Sequence, residues 1–198
     1  MRFLRSAITA VSFAWSSGAF GAEPPAAIMR QLPANHVVLS SARSTIGSQR
    51  FYIVALASRW EKKHQLSEKR APARPLLIYE QRSDGRFVLT GRNDDAILRV
   101  DDGGINQCDP FRQIVMKGRY FTVENGVACG AHWTDYITFR LDARQGYVFD
   151  NERGESWSMN SDDDPHAEAL ISNGVRVEQP PKDRMIPFSK WRRPPYPQ

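Results

Sequence analysis

The chain is predicted to be all-β: a single-domain antiparallel meander, of sandwich, barrel or propeller-like form, with one short C-terminal helix and an extended tail. Three observations carry this. Short apolar runs rich in β-branched and aromatic residues recur between glycine-bearing turns. No alternation of strand and helix patterns is visible, which disfavours a parallel doubly wound sheet. The 198 residues, 41% hydrophobic and 11% aromatic, suffice for one core.

Residues 1–21 have the form of a secretory signal. Arg2 and Arg5 precede a short apolar stretch, 7–15, containing Ile8, Val11 and Phe13. Ala19 and Gly21 place small residues at −3 and −1, so cleavage is expected before Ala22. The stretch is too short and serine-rich to span a bilayer. Loss of Arg2 and Arg5 would take the formal charge from +5 to +3. The remaining basic charge clusters only at Lys190, Arg192 and Arg193, and no nucleic-acid motif accompanies it, so nucleic acid is not the expected partner. The expected address is the periplasm or the cell exterior. Residues 22–34, rich in alanine and proline, are expected to form a loose leader.

The β domain is expected over 35–179. It opens with a short strand over 35–42. A second over 49–57 holds Phe51, Ile53, Val54 and Leu56 and is apolar on both faces, as a central strand is. Residues 58–74 carry Arg59, Glu61, Lys62, Lys63, Glu68, Lys69 and Arg70. They are expected as an exposed, mobile insertion, with a short helix around 60–66 as an option.

Hairpins follow. Strands over 75–81 and 86–90 flank Ser83-Asp84-Gly85, and strands over 112–116 and 119–124 flank Lys117-Gly118. Asn125-Gly126 suggests a further turn. Over 132–141 apolar and polar residues alternate, with Trp133, Ile137, Phe139 and Leu141 on one face and His132, Thr134, Thr138 and Arg140 opposite. Asp135 shares the apolar face. Gln145-Gly146 leads into a strand over 147–149, and Glu152-Arg153-Gly154 is expected to turn into another over 156–159. Asp162, Asp163 and Asp164 offer an N-cap and Pro165 suits the first helical position, so a helix is expected over 166–172, stopped by Asn173-Gly174. The proline-rich tail, 180–198, is expected to run extended, with Met185, Ile186, Phe188 and Trp191 available to dock on the sheet.

Export decides how the cysteines read. An oxidising compartment favours joining Cys108 to Cys129. The alternatives are a catalytic thiol beside His132, or a zinc site of Cys108, Cys129 and His132, one ligand short of a structural centre. Nucleophile-elbow, zinc-protease, phosphate-loop and dinucleotide signatures are missing. His132 and Asp135 are the candidate catalytic pair. Their odd spacing places them on opposite faces of a regular strand, so the pair requires a bulge; otherwise Trp133 goes to the core and Asp135 accepts from backbone or arginine. Asp94, Asp95, Asp101, Asp102, Asp109 and the run at 162–164 are acidic turn residues. Calcium is one reading of them, and ordinary turn chemistry the other, because no twelve-residue calcium loop is present.

Several stretches carry a resemblance. They are Arg74-Pro75-Leu76-Leu77-Ile78, Gly91-Arg92-Asn93-Asp94-Asp95, Cys108-Asp109-Pro110-Phe111, Gly118-Arg119-Tyr120-Phe121-Thr122-Val123-Glu124, His132-Trp133-Thr134-Asp135-Tyr136-Ile137-Thr138-Phe139-Arg140 and Ile186-Pro187-Phe188. Together, over residues 49–190, the chain resembles a family of small, exported bacterial proteins without an assigned activity. Val127-Ala128-Cys129-Gly130 stands where many such relatives carry glycine and serine, so it looks like a cysteine-bearing branch. The resemblance implies an exported all-β protein. A looser similarity, of class and compartment only, is to periplasmic lysozyme inhibitors and immunity proteins against cell-wall hydrolases. The expected function is therefore a non-enzymatic protein-binding module of the envelope, an inhibitor or immunity protein of a cell-wall hydrolase. Its binding surface is expected at Asp94, Asp95, Asp101, Asp102 and Asp109, whose charge would suit a basic target. The rivals are an exported hydrolase using His132 and Asp135, and a calcium-stabilised structural protein. No other cofactor is implied.

Overall fold

Nine strands form, most of them where the apolar runs predict them, and within each sheet chain order pairs them. In the computed structural model, which describes residues 23–61, 70–103, 108–161 and 166–194, they make two antiparallel sheets. The first runs β1 (His36–Ile46), β2 (Gln49–Ser58), β3 (Arg74–Gln81) and β4 (Phe87–Ile97). The second runs β5 (Phe111–Lys117), β6 (Tyr120–Cys129), β7 (Ala131–Asp142), β8 (Gly146–Met159) and β9 (Leu170–Glu178). Each strand pairs with its neighbour in sequence, so both sheets are meanders; among the described residues they do not close into a barrel.

The period of two places every side chain. Phe51, Ile53 and Ala55 of β2, with Leu76 and Ile78 of β3, face Phe121 and Val123 of β6 and Ile137, Phe139 and Leu141 of β7 across one shared core. The intervening residues Val54, Leu56, Leu77 and Tyr79 form a second cluster on the outer face of the first sheet. The N-terminal segment covers it. Ala26–Met29 forms a short helix, α1, whose Ile28 is fully buried against this face. The loose leader expected at 22–34 is thus corrected over the helix: the outer face of β2 and β3 is apolar and needs cover.

The tail fills the gap between the sheets. A 3-10 turn, Phe188–Lys190, is the helical turn near the C-terminus, and Pro187 bridges to Val148. Phe188 and Trp191 are each 3% exposed, whereas Met185 lies open. Phe188 stacks edge-on to Phe139 at 5.0 Å and Trp191 lies 5.8 Å from the same ring. Asn93 Nδ2 donates to the carbonyls of Phe188 and Trp191 at 2.6 and 2.9 Å, which holds the tail to β4.

Four local expectations are corrected. Asn125 and Gly126 do not turn: they lie inside β6, opposite Asp135 and Thr134, and the reversal comes at Gly130, whose φ is +88°. Residues 152–154 do not turn either, because β8 runs unbroken beside β7. Leu170, Ile171 and Ser172 belong to β9 rather than to a helix; Asn173 and Gly174 form a bulge in that strand, and the proposed cap at 162–164 lies outside the described residues. The expected exposed insertion at 58–74 has buried ends, since Glu61, Ala71 and Arg74 are at most 8% exposed. Its central residues, 62–69, lie outside the described ones, as does the signal at 1–21.

Connection length sorts the two ends of the molecule. Short turns at 47–48, 82–86, 118–119 and 143–145 close one end. The described ends of the connections 59–73, 98–110 and 160–169, with the Gly130 turn, lie at the other.

Candidate functional site at the long-loop end

Chemistry concentrates where the long connections gather. The inner face of the second sheet changes character along its length. One cross-strand row holds Val123, Ile137 and Glu152. The next row holds Asn125, Asp135, Gly154 and Arg176, on four adjacent strands. Beyond it stand Val127, Trp133 and Ser156, beside the β9 bulge. The core of aromatic rings and aliphatic side chains thus ends in a polar floor.

Over that floor lies an open cleft of about 590 Å³, lined by Trp133, Asp135, Gly154, Ser156, Asn173 and Arg176, with Asp102 at its edge. Asp135 is 3% exposed. Its Oδ2 accepts from Arg193 Nη1 at 2.5 Å and from Asn125 Nδ2 at 3.3 Å. Its Oδ1 finds no partner among the described residues, nor does Thr134 Oγ1. Gly154, directly opposite Asp135, adds no side chain to the floor.

Glu152 lies beneath, 1% exposed. Arg176 Nη2 donates to it at 2.9 Å and Arg193 Nη1 stands 4.0 Å away. Arg176 also donates to Glu178 at 2.7 Å. Burial, reinforced by the neighbouring Asp135 charge, pushes the Glu152 carboxyl up to about 7 against the pull of the two arginines.

The rim is clamped in two ways. Cys108 and Cys129 are paired, with Cα atoms 6.6 Å apart, tying the β4–β5 connection to the end of β6. Arg74, fully buried, takes Glu61 through Nε and Nη2 at 2.7 and 2.8 Å, and Asp109 through Nη1 and Nη2 at 2.6 and 2.7 Å. Nη1 also donates to the Leu98 carbonyl at 3.2 Å, so all five guanidinium hydrogens are used. Burial alone would lower the Arg74 pKa, but the hydrogen bonds to Glu61 and Asp109 outweigh it and the pKa is raised. One side chain therefore joins the start of the 59–73 connection to both ends of the 98–110 connection.

The predicted site residues fare differently. The five aspartates do fall at or near this end, but each is engaged within the chain. Asp94 and Asp95 lie in β4 rather than in a loop, paired with Arg92 at 2.9 Å and Arg192 at 3.2 Å. Asp101 accepts from the Ala71 N–H at 2.8 Å. Asp102 accepts from the Arg99 N–H at 2.9 Å and pairs with Arg70, and Asp109 is held by Arg74. They make a balanced rim rather than a bare acidic surface. His132 and Asp135 stand on opposite faces, because β7 pairs with β6 without a shift across these residues. That arrangement does not bring them together as an acid–base pair; Asp135 accepts from an arginine instead. Trp133 is corrected from core to cleft wall: it is half-buried and lines the cleft rather than packing into the shared core. Among the described residues no three His, Cys, Asp or Glu side chains converge as a metal site.

Arg74, Glu152, Arg176 and Arg193 escaped the sequence reading. The one signal available was parity: Asp135 on an apolar face requires a buried partner. Which arginine supplies it is a question of tail placement. No family model, curated protein or solved structure matches the chain, so the resemblance noted above gains no support from them.

Proposed function

We propose that the protein is an exported, non-enzymatic binding module of the bacterial envelope that captures a protein partner, in concrete form a cell-wall hydrolase, with its long-loop end. The observation that carries this reading is the clamped rim. A disulfide and a fully satisfied buried arginine hold residues 98–103 and 108–110 against the sheets. Loops ordered before binding lose less conformational entropy on capture, which is how a rigid inhibitor gains affinity. The cysteine pair also fits an oxidising compartment. Asp94 and Asp95 pair only with the exposed Arg92 and Arg192, partners that a basic target could replace, while Asp101, Asp102 and Asp109 serve mainly to hold the rim.

Inhibition tests the reading. At near-equal molar ratio the disulfide-bonded protein is expected to silence a purified muramidase, amidase or endopeptidase acting on peptidoglycan. Asp94→Ala with Asp95→Ala should weaken that inhibition severalfold without altering the melt, because exposed ion pairs contribute at most about 1 kcal/mol. Full turnover by all three enzyme classes in the presence of folded protein would overturn the proposal.

A further inference from the structure

The cleft on β7, β8 and β9 has a chemistry of its own, apart from the rim. Trp133 presents an indole that no other ring covers among the described residues, while the core aromatics stack on one another. The charges around it are paired internally, Asp135 with Arg193 and Arg176 with Glu178, while Glu152 beneath accepts from Arg176. A strongly charged ligand would therefore have to compete with existing pairs. What the site leaves unmet is acceptor capacity: among the described residues Asp135 Oδ1, Asn125 Oδ1 and Glu152 Oε2 are buried without a donor, a state that a donating ligand relieves. Ser156, Asn173 and Arg176 add donors and acceptors around the same space. Gly154 keeps the floor flat between Asp135 and Arg176.

An apolar plate, paired charges, unmet buried acceptors and mixed polar walls suit a neutral ring that carries hydroxyl groups. We propose that this cleft is a saccharide-binding site, taking one neutral pyranose ring stacked on Trp133, with a hydroxyl donating to Asp135 and others meeting Asn173 and Arg176. The volume, about 590 Å³, holds a ring with part of its neighbour, so a short oligosaccharide is the ligand rather than a lone monosaccharide. The inference stands whether or not the rim captures a hydrolase, because the stacking and hydrogen-bonding residues lie on the strands and not on the clamped loops.

The test is a titration of the purified protein, followed by amide and indole NMR, with chitotriose, cellotriose and maltotriose as neutral probes and trilysine as a charged control. At least one trisaccharide is expected to saturate, shifting the Trp133 indole N–H and the amides of Gly154 and Gly174. Trp133→Ala should weaken that binding at least about tenfold, while Met159→Ala, an exposed change outside the cleft, should leave it unaltered. If Trp133→Ala fails to fold, the wild-type shift map still decides. No saturation by any trisaccharide to roughly 10 mM, shifts confined to other surfaces, or binding of trilysine alone would overturn the proposal.

Discussion

Glu152 shows how one buried side chain can set the pH response of the fold. Its carboxyl titrates at about 7 in the folded chain against an ordinary 4.5, chiefly through burial. The folded protein thus keeps a proton that the unfolded chain releases between those values. The stability attributable to this group is fully present below about 4.5 and is lost as pH rises to about 7. Melting temperature measured across that window should fall with rising pH, and Glu152→Gln should flatten the fall. A wild-type curve that is level or rising, or a slope that Gln leaves intact, contradicts the assignment. Arg74 is the opposite case. Its carboxylate partners meet it fully, so it acts as a permanent cation that pins loops.

Among the elements, β6 and β4 depend on glycine for close approach rather than for turning. A Cβ at Gly126 would stand 2.7 Å from the Trp133 carbonyl oxygen on the neighbouring strand. One at Gly91 would stand 2.9 Å from the Phe188 ring edge. A ring can tilt; a paired backbone has to separate. Gly91→Ala should therefore cost about 1–3 kcal/mol, the usual range for overpacking, and Gly126→Ala more, by chemical denaturation at equilibrium. Equal losses, or the reverse order, would mean that β6 and β7 part more easily than their register suggests. The strand assignments themselves were legible where alternation was clean, as over β7. They failed at Asn125-Gly126 and at 152–154, where turn-forming residues serve a strand interior: the first glycine gives clearance and the second leaves the cleft floor bare.

For the whole molecule the decisive part is the tail. Two short-range meanders meet across one core, and Phe188 and Trp191 complete it from the far end of the chain. Loss of a buried Phe or Trp side chain costs about 3–5 kcal/mol, against a total stability of about 5–15 kcal/mol for a domain. Phe188→Ala and Trp191→Ala should each lower the unfolding free energy by that amount. A chain ending at residue 185 should lack the cooperative melt of the intact protein. Retention of that melt would show that the two sheets hold together without the tail.

The sequence by itself determined the all-β class, the antiparallel meander and the central position of β2, and it favoured the pairing of the two cysteines without settling it. The first three follow from local pattern: a period of two and glycine at tight reversals. The tertiary structure alone decided which side chains form the site. Asp135, Glu152, Arg176 and Arg193 come from three strands and the tail, and Arg74 meets Glu61 and Asp109 across two long connections. The same holds for Trp133, whose parity marks it as core but which lies outside the shared core and walls the cleft. Parity fixes the face a side chain takes; only the extent of the opposing layer fixes whether that face is covered.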